Sequence, residues 1–71
     1  MKEDVRLWEL YEALKALGVA PGRRIAVRVA NRTVHGEVLD VLPGYVVLKS
    51  NPEGRRILVR LRDIKYVEIE E

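Results

Sequence analysis

The chain has no cysteine, no glutamine, a single histidine and no apolar run longer than a strand, and each absence removes a class of answer. Without cysteine there is no disulfide framework. One histidine and no His/Asp/Glu cluster at ligand spacing leave no basis for a zinc site, and none for a metal or other cofactor. The apolar stretches are too short and too often broken by charge to cross a membrane. The N-terminus opens Met-Lys-Glu-Asp rather than with a basic then apolar leader, so a soluble, cytoplasmic protein with no membrane partner is expected. Few Asn, Ser and Thr beside many Arg and Glu fit a thermophile's economy of labile side chains and ion pairs.

The 71 residues make a single domain, which buries too little apolar surface to be generously stable alone. Oligomerisation is the remaining source of stability. Net charge is +2, but residues 19–66 hold ten basic against four acidic side chains, a local excess of +6. A basic strand region beside a nearly neutral helix is a possible electrostatic footprint for nucleic acid. Arginines on outward strand positions also keep a small sheet soluble and discourage edge pairing, which accounts for the same excess without a ligand.

Leu7, Leu10, Leu14 and Leu17, flanked by Trp8 and Tyr11, recur at helical spacing and predict an amphipathic helix from Asp4 to Leu17 within an N-terminal segment 1–18. Its apolar face needs a partner surface, and Trp8 is read as helix-to-sheet packing. Glu3 and Asp4 suit the helix start, Lys15 its end, and Gly18 is placed to cap the last turn. Five strand-like runs follow over 23–69. Ile25, Val27 and Val29 alternate with polar or small residues, and Asn31-Arg32 is read as the hairpin turn. The second run keeps Val34, Gly36 and Val38 in one phase, then shifts to Leu39 and Val41, which predicts a bend or bulge. Pro43-Gly44 and Ser50–Gly54 are read as turns. Ile57, Val59 and Leu61 alternate through a fourth strand, Arg55–Arg62, and Val67 and Ile69 face the core in a fifth, Ile64–Ile69.

The order helix then five strands, with a glycine inside a long second strand, resembles the Sm-like (LSm, Hfq-like) family over nearly the whole chain. The apolar run from Gly36 to Lys49 lies at the offset of that family's glycine-to-lysine run, and Leu61-Arg62-Asp63 lies where it has Ile-Arg-Gly. The resemblance implies a mostly β fold, an N-terminal helix before a five-stranded, strongly bent antiparallel small barrel of SH3-like type. It also implies a homo-oligomeric hexameric or heptameric ring joined through the edge strands, binding single-stranded RNA. The family's pocket combines an Asn and a stacking side chain from the turn after the second strand with the Arg of Ile-Arg-Gly. Arg62 matches that Arg, and Arg60, Lys49 and Tyr45 are the neighbouring candidates. The family's Asp-x-x-x-Asn is absent, its Asp falling near Leu42 and its Asn near Gly44 or Tyr45. Asp63 replaces a glycine and is expected to pair with Arg62.

No catalytic residue is expected. His35 stands alone without a nucleophile or ligand partner, and Glu37 and Asp40 are read as lying on opposite strand faces. Arg55-Arg56 follows a Pro/Gly turn and is read as a solvated loop tip that could also touch a phosphate backbone. Two alternatives stay open: an oligomeric structural or protein-interaction module without nucleic acid, and a monomeric SH3-like or KOW-type barrel on ribosomal RNA.

Overall fold

A computed structural model of the chain describes residues 2–50 and 53–70, with side chains from Trp8 onward. Helix α1 (Lys2–Leu17) precedes strands β1 (Arg24–Val29), β2 (Arg32–Leu42), β3 (Tyr45–Ser50), β4 (Arg56–Arg60) and β5 (Ile64–Glu70), with a 3₁₀ turn at Leu61–Asp63 between the last two. The strands form one five-stranded antiparallel sheet in the order β4-β3-β2-β1-β5.

The helix stops where its sequence says it must. Gly18 takes φ +105°, its N–H donates to the Lys15 carbonyl at 3.1 Å, and the Val19 N–H donates to the Leu14 carbonyl at 2.9 Å. This is a Schellman cap, and the apolar pair that accompanies such caps is Leu14 with Val19, both buried. Pro21 and Gly22 (φ +94°) then make a tight turn closed by the Arg23 N–H on the Ala20 carbonyl at 3.1 Å. That turn is tied to β2 in both directions, Gly22 N–H to the Val38 carbonyl and Val38 N–H to the Arg23 carbonyl, each at 2.8 Å.

The predicted phase shift in β2 is a bulge. Register with β3 slips between Val38 and Asp40, so Leu39 is the extra residue and Val41 turns toward the core. Gly36 lies just before it, and a Cβ there would sit 2.6 Å from the Lys49 carbonyl oxygen; only glycine lets β3 approach this closely. Residues 32–37 of β2 pair with β1 and residues 36–42 with β3, so the strand bends from one ladder into the other. The sheet therefore has two wings: β1 and β5 with the first half of β2, and β3 and β4 with the second.

Its concave side holds the core, in which Ile25, Val27, Val38, Val46, Leu48 and Leu61 are essentially inaccessible. Each such side chain contributes about 1.5–3 kcal/mol through burial.

Several expectations are corrected. The sheet is not closed into a barrel: β4 pairs only with β3 and β5 only with β1. The alternation of Arg55–Arg62 does not carry one strand through, because Leu61–Asp63 coils into the 3₁₀ turn and separates the two edges. The β1–β2 hairpin turns at Ala30-Asn31, one residue earlier than Asn31-Arg32, with Ala30 at φ +50°. The helix begins at Lys2 rather than Asp4, and its broad apolar face is only partly covered. Leu14 is buried and Tyr11 half-buried against the 3₁₀ turn and core, while Trp8 and Leu17 remain 54% and 52% exposed. Trp8 is only partly covered; its described aromatic neighbour is Tyr11, with centroids 5.4 Å apart, and the Lys15 ammonium lies 4.9 Å from the Tyr11 ring. The expected roles of Glu3, Asp4 and Leu7 concern side chains outside the described residues.

Candidate nucleic-acid interface

Strand register places the candidate residues. On the convex face of the second wing the cross-strand rows, read β2 to β4, are Leu42–Tyr45–Arg60, Asp40–Val47–Leu58 and Glu37–Lys49–Arg56. Tyr45 and Arg60 are thus direct cross-strand neighbours, and Lys49 lies opposite Arg56, about 13 Å further along β3. The patch is exposed: Leu58 is 60%, Tyr45 41% and Leu42 40% accessible. Tyr45 therefore lies on the solvent side of the sheet. Lys49 leans over the β3–β4 turn, its stem close to Gly54 (φ +76°).

The other end of the candidate set is formed by two turns. The Leu61 N–H donates to the Gly44 carbonyl at 3.1 Å, which ties the 3₁₀ turn to the β2–β3 turn. Leu61 is buried beneath them, while Arg62 and Asp63 point outward and are exposed. Asp63 does not pair with Arg62. Its Oδ2 accepts from Arg60 Nε at 2.7 Å, an i,i+3 contact that the tight 3₁₀ turn makes possible. Arg62 makes no ion pair with a described residue.

Below this end, a cleft of about 170 Å³ opens between the β1–β2 hairpin and β4, lined by Val29, Val34, Ile57 and Val59 with Arg32, Arg60 and Asp63 at its mouth. It marks where the sheet fails to close.

The first wing is of another kind. Its convex rows are Thr33–Arg28–Tyr66, His35–Ala26–Glu68 and Glu37–Arg24–Glu70. Arg28 donates to the Thr33 hydroxyl at 3.2 Å, and His35 Nδ1 and Glu70 Oε2 lie 2.8 Å apart across Ala26. Arg24 stands between two carboxylates in register, so much of the basic excess read in the sequence is offset locally here. His35 has a carboxylate neighbour and no described nucleophile, and no described His/Cys/Asp/Glu group could hold a metal ion.

The bulge also corrects the reading of Glu37 and Asp40. One extra residue brings both to the convex face, yet Glu37 lies opposite Lys49 and Asp40 opposite Val47, with Asp40 Oδ1 accepting its neighbour Val41's N–H at 2.9 Å. Arg56 likewise starts β4 rather than capping a loop, so it belongs to the sheet surface. Its place beside Lys49 was hidden in the sequence, because the β3–β4 register depends on how the Ser50–Gly54 turn closes. That closure rests on Ser50 N–H to the Arg55 carbonyl at 2.7 Å, Gly54 N–H to the Ser50 carbonyl at 2.8 Å and Arg55 N–H to the Ser50 hydroxyl at 3.2 Å.

A family model described as a domain of unknown function, DUF2642, matches residues 9–68, from the middle of the helix to the last strand. The chain belongs to the DUF2642 family. No curated protein matches it. The matched span of this DUF2642 domain contains the Schellman cap, the bend at Gly36, both turns at the Arg62 end and the whole Tyr45–Arg56 surface. No described helix is long and apolar enough to cross a membrane.

Proposed function

We propose that this DUF2642 chain is a divergent Sm-like subunit that assembles with copies of itself through its strand edges and binds single-stranded RNA chiefly through charge. The observation that carries the RNA reading is the Leu61 to Gly44 hydrogen bond, which brings together the two turns that the family resemblance assigns to its RNA pocket. Arg62 stands exposed at that junction, with Arg60 and Tyr45 on the adjoining strands. The assembly reading rests on the two edges that β4 and β5 leave without a strand partner, and on the uncovered apolar side chains Trp8, Leu17 and Leu58. A hexameric or heptameric ring is the form that the resemblance implies.

Without the family's Asn to read a base edge, sequence preference is weak and phosphate contacts dominate. Affinity for oligo(U) and for a scrambled RNA then falls together as salt is raised, with a steep log–log slope. No binding of either RNA at low salt removes the RNA half of the proposal. Sedimentation at micromolar concentration tests the other half, since a monomer there supports a solitary SH3-like or KOW-type module instead.

A second reading, an oligomeric interaction module without nucleic acid, is favoured by one specific observation: Arg60 is already held by Asp63, which puts a carboxylate beside the site. The absorbance ratio at 260 and 280 nm of freshly purified protein separates the two, because an RNA binder carries nucleic acid through purification and the module does not.

A further inference from the structure

Resting on the RNA reading above, we infer that the strand reaches well beyond the paired turns and runs along the convex face of β3 and β4, a track bounded by Arg62 at one end and Arg56 with Lys49 at the other. Three observations converge on this face. Lys49 and Arg56 are direct cross-strand neighbours, both exposed, and β4 is an edge, so no further strand brings a carboxylate to Arg56 from the outside. Lys49 faces Glu37 on its other side, so Arg56 is the member of this like-charge pair with no carboxylate opposite it, and a bound polyanion supplies that partner. Between the two cationic ends lie Tyr45 and Leu58, the first a flat ring on which a base can stack, the second the most exposed of the large apolar side chains described. Finally, the convex face of the first wing is the less cationic one: Arg24 stands between Glu37 and Glu70, Arg28 donates to the Thr33 hydroxyl, and Tyr66 is its exposed aromatic.

The track commits to a single-stranded polyanion with accessible bases rather than to a duplex, because the cations follow one strand direction, spaced by about 13 Å from Arg60 to Arg56, with the Tyr45 ring beside Arg60 as a stacking platform. It assigns Arg56, which the paired turns do not include, as a phosphate contact. It also gives Lys49 a role that the turns alone do not offer, since Lys49 lies at the far end of β3 from Arg62.

The test measures binding of a fluorescent oligo(U) and its salt dependence for Arg56→Gln, Lys49→Gln and Tyr45→Ala, beside Lys65→Gln on the opposite margin of the sheet and Arg62→Gln at the turns. Circular dichroism confirms folding, and sedimentation follows the assembly of each. Arg56→Gln and Lys49→Gln are each expected to weaken binding severalfold and to flatten the salt slope by about 0.7, the value for one phosphate contact to a single strand. Tyr45→Ala is expected to weaken binding roughly tenfold at every salt concentration, while Lys65→Gln changes neither affinity nor slope. If RNA binds and only Arg62→Gln weakens it, the track is overturned and the turns stand. If wild-type protein binds no RNA, the underlying reading falls, and the track with it. If Arg56→Gln dissolves the assembly and leaves affinity per subunit intact, the outer cations serve contacts between copies and the track is likewise overturned.

Discussion

The two wings share β2 and a common core, yet their convex faces have been solved differently. On the β1–β5 side Arg24 stands between two carboxylates, Arg28 is held by the Thr33 hydroxyl, and small Ala26 is 2% exposed because longer polar neighbours, His35 and Glu70 among them, close over it. On the β3–β4 side apolar side chains stand in the open, with cations gathered toward the free edge. A surface that satisfies itself needs nothing more than water. One that leaves leucine, tyrosine and Arg56 side by side is costly to leave bare, and the proposed RNA track rests on this face for that reason.

The contrast can be broken most severely at the bend that creates it. Gly36→Ala forces a Cβ against the Lys49 carbonyl, and neither backbone can move without losing ladder bonds; a loss of about 3 kcal/mol in urea denaturation is expected. A smaller test compares the faces directly. Ala26→Leu must displace the side chains above it and costs about 1–2 kcal/mol, whereas Leu58→Ser, on the open face, changes stability by less than about 0.5 kcal/mol. Equal costs at the two positions would show that the wings do not differ as described. The smallest effect is a gain: Ala30 holds φ +50°, a conformation that a Cβ disfavours, so Ala30→Gly raises stability by about 0.5–1 kcal/mol, read as a higher midpoint.

Much of the fold was legible because local chemistry and tertiary context agree. Gly18 had one use after an apolar period of three and four, and it is used that way. The change of phase between Val38 and Val41 announced the bulge without any knowledge of a partner strand. What escaped was whatever depends on the ends of the sheet. Leu61 continues the alternation of Ile57 and Val59 and is buried as they are, so periodicity could not distinguish a strand from the 3₁₀ turn that keeps the cylinder open. Leu10 and Leu17 share the helical period of buried Leu14, but the helix meets the small sheet chiefly at that 3₁₀ turn, which leaves them uncovered.

The candidate site was legible as residue types and illegible as a surface. Arg62 and Tyr45 follow from the family resemblance, and the tie between their turns supports keeping them together. Arg56 was read as a loop tip able to touch a phosphate, and only the pairing of Lys49 with it, and of Tyr45 with Arg60, shows that one face carries them all. Asp63 choosing Arg60 over Arg62 is likewise a product of turn geometry, since adjacent residues in such a turn point in different directions.

The long second strand has a consequence for how the molecule comes apart. Gly36 and Glu37 belong to both hydrogen-bonded ladders at once, and the Val38 peptide is clasped from the far side by the Pro21-Gly22 turn. Neither half of the sheet can fray inward past this point without releasing the other, so the protein is expected to melt as one cooperative unit, with hydrogen exchange finding its slowest amides around residue 37.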